Sequence, residues 1–304
     1  MNNNQKLVKN ILKLKNERKA IILAHNYQLP EVQDIADFSG DSLGLSQEAA
    51  ETEAEVILFC GVHFMAETAA ILCPDKTVLM PDLNAGCPMA NMITLRQLHE
   101  QKKKHPQAIV VTYINSKAEI KAESDYCCTS SNAIKVVQSI PSDKEIIFIP
   151  DKYLGSYVAS QTKRDLILWE GFCPTHRRIL PEDILKKKAL YPKAEVLVHP
   201  ECIPEVIAMA DKVLSTTGIC KYVKESKSEE LIIGTEIGIL HRLKKENPGK
   251  KFYPASELAD CPNMKLNNLE KLLWSLEDLV YRVEVPREIA RRAKRSIDRM
   301  LELV

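Results

Sequence analysis

Three cysteines, each followed by a proline, stand at comparable places along this chain: Cys87, Cys173 and Cys261. Thiolates are soft metal ligands, so three of them brought to one point would hold a metal centre. Structural zinc sites use four ligands, usually in closely spaced pairs, whereas these cysteines are far apart in the sequence. A 4Fe-4S cluster normally takes four cysteines, and with three it leaves one iron open to bind a substrate oxygen as a Lewis acid. The three cysteines therefore predict a 4Fe-4S cluster that takes part in chemistry.

These cysteines belong to a wider internal repeat. The first predicted strand of each unit runs into His25, Tyr113 or His199, and these positions are 88 and 86 residues apart. An aspartate follows each position by 12 residues and a hydroxyl follows it by 17; the cysteine comes 45, 43 or 45 residues after the hydroxyl. The aspartates are Asp37, Asp125 and Asp211, and the hydroxyls are Ser42, Ser130 and Thr216. The repeat predicts three similar units whose equivalent loops meet around a pseudo-threefold axis.

The residues that end these first strands are hydrogen-bond donors together with one carboxylate. They are His25, Asn26 and Tyr27 in the first unit, Tyr113 and Asn115 in the second, and His199 and Glu201 in the third. Such a set suits a carboxylated substrate, which the donors would bind while Glu201 or a histidine moves protons.

The repeated hydroxyls Ser42, Ser130 and Thr216 each precede a segment of helical periodicity. A hydroxyl in this place is predicted to be the N-cap of the helix that follows. A helix N-terminus also offers backbone N–H groups and positive dipole charge to an anion, so three of them around one axis would bind a multiply charged substrate. The sequence has neither the GxGxxG nor the GxxxxGK[ST] signature, and dinucleotide and P-loop roles therefore have no support from a motif.

The elements that must position these residues alternate between short β-branched apolar runs and segments of helical period. This alternation is typical of parallel sheets covered by helices on both faces. We predict an α/β fold of three similar three-layer αβα domains around the axis, plus C-terminal helices at 266–280 and after Pro286. The predicted strands are 20–24, 55–60, 76–80, 108–113, 145–149, 164–168, 194–198, 229–233 and 251–253. The predicted segments are 1–100 with an N-terminal helix, 101–187, 188–262, and a helical tail, 263–304, that packs on the repeats.

The composition favours a protein that acts on small molecules. The 304 residues carry 42 Lys and Arg against 41 Asp and Glu, so the net charge of +1 gives no electrostatic footprint for nucleic acid or an anionic membrane. No run reaches the ~18 uncharged apolar residues of a membrane-spanning helix, and the N-terminus lacks a secretory signal. We expect a cytoplasmic location, in which the six cysteines outside the repeat are buried thiols rather than disulfides.

Ordered motifs that cover the chain from about residue 21 to its C-terminus carry a family resemblance. They read ILAHNYQLPEVQDIADFSGDSLGLS, FCGVHFMAET, PDLNAGCPMAN, YINSKAE, CTSSNA, FIPDKYLG, GFCPTH, VHPEC, STTG, GTEIGILHRL and CPNM. In these motifs the chain resembles the quinolinate synthase A family, the 4Fe-4S enzymes of de novo NAD biosynthesis. The resemblance implies a transferase that condenses iminoaspartate with dihydroxyacetone phosphate and gives quinolinate, phosphate and water.

The resemblance also implies residue roles. The cluster would be held by Cys87, Cys173 and Cys261, with one open iron. The implied substrate contacts are His25, Ser42, Tyr113, Asn115, Ser130, His199, Glu201 and Thr216, and the catalytic candidates are Glu201, Tyr27, His25 and His176. The family further implies a functional link to an aspartate-oxidising enzyme that supplies iminoaspartate. Because Cys261 is followed by Pro262, Asn263 and Met264, the Cys-x-x-Cys-x-x-Cys of some members is missing, and no redox switch of that kind is expected.

Two alternatives remain open on the residues alone. An open iron suits any dehydration, so another 4Fe-4S hydro-lyase acting on a hydroxy acid is one of them. A cluster-bearing redox or iron sensor is the other, since three ligands and an exposed iron make a cluster labile. A sensor needs a partner or DNA surface, for which the balanced charge offers no support.

Overall fold

The structure is a computed structural model that describes residues 3–303. The first of its three units contains a four-stranded sheet with four helices. Its strands are β1 (Ala20–His25), β2 (Phe38–Gly40), β3 (Val56–Cys60) and β4 (Thr77–Leu79). Its helices are α1 (Asn3–Glu17), α2 (Pro30–Ile35), α3 (Ser42–Glu51) and α4 (His63–Leu72). All neighbouring strands are parallel, in the order β2-β1-β3-β4.

The second unit has the same order of elements along the chain. Its strands are β5 (Ile109–Tyr113), β6 (Tyr126–Cys128), β7 (Ile146–Ile149) and β8 (Ile167–Leu168). Its helices are α5 (Leu95–Lys104), α6 (Ala118–Ala122), α7 (Ala133–Ser139) and α8 (Lys152–Thr162). The strand order, β6-β5-β7-β8, is that of the first sheet, and the pairing is again parallel.

The third unit repeats this arrangement once more. Its strands are β9 (Glu195–Val198), β10 (Lys212–Val213), β11 (Glu230–Gly234) and β12 (Lys251–Pro254). Its helices are α9 (Pro181–Leu190), α10 (Pro204–Ile207), α11 (Thr216–Glu225) and α12 (Ile239–Glu246). With the parallel order β10-β9-β11-β12, the predicted α/β fold of three repeated αβα units is confirmed. The segment boundaries between units stay predictions.

The nine predicted strands are all present, although β8 forms only at the end of the segment predicted at 164–168. The sequence analysis missed β2, β6 and β10, the outer strands next to the first strand of each sheet. These strands contain three, three and two residues, which is too short for an apolar run to be recognised.

The repeated aspartates explain where these short strands begin. Each aspartate stands immediately before one of them and accepts a hydrogen bond from the backbone of the adjacent first strand. The bonds are Ile22 N to Asp37 Oδ2 (2.8 Å), Val110 N to Asp125 Oδ2 (2.8 Å) and Val196 N to Asp211 Oδ2 (2.7 Å). The aspartate column therefore has a structural role, because each carboxylate takes the place of a missing strand carbonyl at the edge of the sheet.

Replacing Asp211 by alanine is expected to lower the free energy of unfolding by about 1–3 kcal/mol, because the buried Val196 N–H loses its acceptor. Asparagine keeps a side-chain oxygen at this position, so Asp211→Asn is expected to restore most of the loss. Denaturant midpoints for the two variants measure the difference, with Asp143→Ala, at an exposed position, as the control. Equal midpoints for Asp211→Ala and the unchanged protein would show that water satisfies Val196 equally well.

Helices cover both faces of each parallel sheet, as the alternation of elements predicts. In β1, Ile22 and Ala24 face a core that also contains Ile11 of α1. Leu23 faces the opposite way, into the large core shared with the second and third units. The first and third strands of each sheet are buried over most of their length, which leaves the carboxyl ends of the strands as the place where polar side chains can meet.

Two C-terminal helices complete the fold, α13 (Leu269–Asp278) and α14 (Arg287–Leu301). Helix α13 is shorter than its predicted range because Asn268 caps it, with the side chain accepting from Lys271 N. It packs on α1 over the first sheet, while α14 packs on α6 and β6 of the second unit. Asn132 Nδ2 donates to Met300 O at 3.0 Å, which ties the end of α14 to the start of α7. In residues 3–303, no helix has the length and apolar character to cross a bilayer.

Candidate active site

A single pocket of about 150 Å³ brings together residues from all three units. It lies beyond the carboxyl ends of the strands, where open parallel sheets place their ligand sites. Thirteen of the fourteen residues proposed from the sequence line it: His25, Tyr27, Ser42, Cys87, Tyr113, Asn115, Ser130, Cys173, His176, His199, Glu201, Thr216 and Cys261. Asn26 lies outside the lining, and its Nδ2 donates to Thr216 Oγ1 at 3.1 Å. Their individual roles stay predictions.

His25 and His199 occupy equivalent places in the first and third units, and both are buried. Tyr27 N donates to His25 Nδ1 at 3.2 Å, and Glu201 N donates to His199 Nδ1 at 3.3 Å. Because Nδ1 accepts in both rings, the proton of the neutral imidazole is on Nε2. Burial lowers the pKa of His25 to about 4 and that of His199 to about 3. Both rings are therefore uncharged N–H donors, and His199 Nε2 reaches Ser130 Oγ at 3.1 Å.

The lowered pKa of His25 predicts a pH effect on stability. His25 has a pKa of 6.5 when unperturbed and about 4 in the folded chain, so between these values the unfolded chain binds more protons. Stability is thus expected to fall as the pH decreases from 6.5 towards 4, and His25→Gln is expected to lessen this slope. Denaturant midpoints between about pH 7.5 and pH 5 measure it, with His99→Gln at an exposed histidine as the control. An unchanged slope in His25→Gln would contradict the assignment.

Glu201 is the best-bonded carboxylate in the pocket. Tyr113 Oη donates a short hydrogen bond to Oε1, and Asn115 Nδ2 lies 3.4 Å from the same oxygen. His176 Nδ1 is 2.7 Å from Oε2. Burial alone would raise the pKa of Glu201, but His176 and the hydrogen bond from the Tyr113 hydroxyl outweigh it, and the pKa lies below its ordinary value. Glu201 is therefore ionised and accepts hydrogen bonds from the second unit on both oxygens.

The N-cap prediction for the repeated hydroxyls is wrong. In α3 and α11 the cap is the preceding residue: Asp41 accepts from Gly44 N at 2.9 Å and Ser215 from Gly218 N at 3.1 Å. Ser42 and Thr216 are the first residues of these helices, and Ser130 precedes Asn132, the residue at the cap position of α7, by two. A capping side chain must fold back over its own helix, whereas a side chain one residue later can point outward. The three hydroxyls are thus free to line the pocket.

Cys87, Cys173 and Cys261 follow the last strands of the three sheets, and each begins the same local structure. The proline after each cysteine leads into a short 3₁₀ helix, Met89–Asn91, His176–Arg178 or Met264–Leu266. Burial raises the pKa of all three thiols, that of Cys87 to about 12. A backbone N–H three residues later, from Ala90, His176 or Met264, acts in the opposite direction and favours the thiolate.

The three thiols fit a multi-iron cluster better than a single ion. Each has a backbone N–H donor directed at sulfur, which is how proteins support and tune cluster thiolates. The group of potential ligand atoms found within 4.8 Å of one another among residues 3–303 is Cys173, His176 and Glu201, and it includes only one of the three cysteines. The other six cysteines are buried, as predicted, and lie outside the pocket lining.

Cys173, His176 and Glu201 could hold a metal ion, since their ligand atoms are close together. His176 Nδ1 lies 3.2 Å from Cys173 Sγ and 2.7 Å from Glu201 Oε2. The short contact between the imidazole and the carboxylate is also that of an ordinary charge-assisted hydrogen bond. The closeness of this group therefore has an explanation without a metal.

The segment after β11, part of the motif GTEIGILHRL, also supports the pocket, although the sequence predicted no role for it. Thr235 and Glu236 directly follow β11, whose last residue pairs with Val198 of β9. Glu236 accepts from Cys261 N at 3.0 Å and from Gly238 N at 2.7 Å, and it pairs with Lys265 at 2.8 Å. The sequence contains a signal for this segment, because the first and third strands of each unit end near the same edge of the sheet. The site predictions, however, rested on the ends of the first strands and on the loops after the last strand of each unit.

Arg178 is also new to the site, and it is the only lysine or arginine among the described residues that line the pocket. Its guanidinium lies 3.4 Å from the backbone oxygens of both Leu258 and Asp260. An anion inside would therefore be held mainly by uncharged N–H and O–H donors and by helix N-termini.

The fold and the pocket together define a three-unit α/β protein with a buried, thiol-lined site of a size for small molecules. A family model described as "Quinolinate synthetase A protein" matches residues 9–302. The chain belongs to this family, whose members are enzymes.

Similar proteins named quinolinate synthase cover nearly the whole chain. The one from Methanosarcina barkeri is 57% identical over 295 residues, which is 97% of both chains. One from Dehalococcoides mccartyi is 58% identical over 293 residues, 96% of this chain and 97% of its own. One from Desulforudis audaxviator is 55% identical over 303 residues and covers both chains completely.

Proposed function

We propose that this chain is a quinolinate synthase, which condenses iminoaspartate with dihydroxyacetone phosphate and releases quinolinate, phosphate and water for NAD biosynthesis. The observation that carries the proposal is the meeting of three thiols with the Glu201 network in one pocket, in a chain of this family. Each unit of the repeat supplies one thiol at the equivalent position. Cysteines that only pack in a core are not expected to recur in this way.

The residues that would hold a 4Fe-4S cluster are Cys87, Cys173 and Cys261. Their support is the shared 3₁₀ turn, the N–H donors at sulfur and their common place in the pocket lining. When bound by three cysteines, such a cluster supplies a Lewis acid at its open iron for the loss of water. The thiols lose their protons when metal binds, which offsets the raised pKa values that burial gives them.

Substrate carboxylates and the phosphate group are held by the neutral donors around the axis. Ser42 and Thr216 lie on the first turns of α3 and α11, where backbone N–H groups and the helix dipole favour an anion. Asn115, Ser130 and the Nε2–H groups of His25 and His199 complete the donor set. Uncharged donors orient a polyanion through the direction of their hydrogen bonds. Such donors would hold the two small substrates in one fixed arrangement relative to each other.

Proton transfer centres on Glu201. Its carboxylate is ionised and lines the pocket, so it is available as a base for a proton released during condensation. Burial raises the pKa values of Tyr27 and Tyr113 well above 10.0, so both phenols keep their protons at rest. They act as hydrogen-bond donors, and Tyr27 gives up its proton only to a strongly basic group formed in the reaction. His176 orients the Glu201 carboxylate through Nδ1.

An assay with defined substrates tests the function. The chain, purified without oxygen, is incubated with dihydroxyacetone phosphate and with iminoaspartate formed in place by an aspartate-oxidising enzyme, and quinolinate is measured by mass spectrometry. Quinolinate that appears only with both substrates and the chain supports the proposal. A cluster-loaded chain that forms none would overturn it and favour a different hydro-lyase or a sensor.

A further inference from the structure

Thr235 occupies a buried position behind the pocket wall, between two residues that line the pocket. It is 1% exposed and does not itself line the pocket. Its Oγ1 lies 2.5 Å from Tyr27 Oη and 2.8 Å from His176 Nε2. Tyr27 Oη and His176 Nε2 are themselves 3.5 Å apart, so the threonine hydroxyl is their closest shared partner.

The Thr235 hydroxyl bridges Tyr27 and His176. His176 Nδ1 is 2.7 Å from Glu201 Oε2, and an ionised carboxylate only accepts, so Nδ1 carries a proton. The other ring nitrogen, Nε2, faces Thr235, whose hydroxyl can either donate to it or accept from it. The same hydroxyl is a hydrogen-bond partner of Tyr27 Oη. One hydroxyl thus bonds both neighbours at once, a task that a methyl group cannot perform.

These bonds form a continuous chain across the three units. It runs from Tyr27 through Thr235 and His176 to Glu201, and on to Tyr113. Thr235 is the only member outside the pocket lining. Without this hydroxyl, the Tyr27 and His176 side chains would be free to turn. The Glu201 carboxylate, which His176 contacts, would then lose part of its fixed orientation.

The segment that carries Thr235 is fixed on its other side. Glu236 binds the backbone N–H groups of Cys261 and Gly238, and Lys265 pairs with Glu236 and donates to Tyr27 O. A Cβ added to Gly238 would lie within 2.8 Å of atoms of Lys265, Glu236 and Tyr27, so these groups pack closely around Gly238. The backbone that carries Thr235 is therefore held by contacts with the third 3₁₀ turn and with the first unit.

We propose that Thr235 is a positioning residue for the reaction: it holds Tyr27 and His176 in place, and through His176 it orients Glu201. The inference rests on the proposed quinolinate synthase activity and adds to it a residue that never touches substrate. Partners that orient a functional histidine commonly contribute about 10- to 100-fold in activity. The same range is expected here, in kcat rather than in KM, because the substrate contacts themselves stay intact.

Thr235→Val removes the hydroxyl and keeps the shape, while Thr235→Ser keeps the hydroxyl. In the cluster-loaded enzyme, Thr235→Val is expected to lower kcat about 10- to 100-fold with little change in the KM of either substrate, and Thr235→Ser to keep most of kcat. Thr112→Val is the matched control, since Thr112 is fully buried and its hydroxyl contacts only Ser124. Iron content and melting temperature, measured for each variant, show that the fold and the cluster are retained.

The inference would be overturned by a Thr235→Val enzyme with unchanged kcat, or by a Thr235→Ser enzyme as impaired as Thr235→Val. A raised KM with unchanged kcat would also overturn it, because Thr235 would then act on binding. If Thr235→Val does not fold, Thr235→Ala replaces it in the comparison with Thr235→Ser. An unchanged chain that makes no quinolinate would instead contradict the proposed function, so the two failures are distinguishable.

Discussion

Glu201→Gln is expected to reduce quinolinate formation by about 10²- to 10⁴-fold, the usual contribution of a positioned acid–base group. The substitution keeps the shape of the side chain, but it replaces one acceptor oxygen by an NH₂ donor and removes the negative charge. Both oxygens of Glu201 accept hydrogen bonds, from Tyr113 and from His176, so one of these partners would face a donor. The rate is measured with the cluster loaded and both substrates saturating.

Glu195→Gln is the matched control for this experiment. Glu195 belongs to the same unit and also accepts from hydroxyl groups, with Tyr222 Oη at 2.6 Å and Ser226 Oγ at 3.0 Å, but it lies outside the pocket lining. The Glu195→Gln variant is expected to keep full activity. If Glu201→Gln turned over as fast as the unchanged enzyme with its iron intact, Glu201 would not be the base and proton transfer would need another group.

The sequence predicted the architecture well because the repeat constrains it three times. A strand run that is weak on its own gains support from the equivalent runs 88 and 86 residues away, and thirteen of the fourteen candidate residues line the pocket. The short strands β2, β6 and β10 escaped because a strand of two or three residues has too few side chains to show periodicity. The repeated aspartates mark where these strands begin, but their hydrogen bonds to the first strands are visible only in the structure.

The helix starts were misplaced for a different physical reason. A serine or threonine before a helical run can be the cap or the first residue, and the sequence alone does not separate the two when another capping residue precedes it. Asp41 stands before Ser42, and Ser215 stands before Thr216. In both pairs the earlier residue caps the helix, and the later one faces the pocket.

Thr235 shows what sequence reasoning could not reach. Its hydroxyl matters only because β11 pairs with β9, which brings residue 235 beside the strand end that carries His199 and Glu201. The contact with Tyr27 further depends on how the first unit packs against the third. The end of the third strand marks this loop as a candidate in the sequence, but only the three-dimensional arrangement shows that Thr235 bridges Tyr27 and His176.

The second large effect is expected for the three cysteines. Cys87→Ala, Cys173→Ala and Cys261→Ala are each expected to lose iron, sulfide and the visible absorption of the cluster, together with quinolinate formation. The unchanged chain is expected to hold about four irons and four sulfides when purified without oxygen. Loss of any one of the three ligands removes one of the thiolate anchors of the cluster. Cys220→Ala is the control, because Cys220 is buried in α11 and lies outside the pocket lining.

The pattern across these variants separates the cluster from a single metal ion. A lone ion held by Cys173, His176 and Glu201 would be lost in Cys173→Ala but kept in Cys87→Ala and Cys261→Ala. A cluster held by one thiol from each unit would be lost in all three. If the metal content were unaffected in every variant, both proposed sites would be contradicted. The three thiols, at which the backbone N–H groups of Ala90, His176 and Met264 are directed, would then have only a packing role. Each pattern of metal loss corresponds to a different set of ligands. Measuring the metal content therefore identifies the site independently of the activity assay.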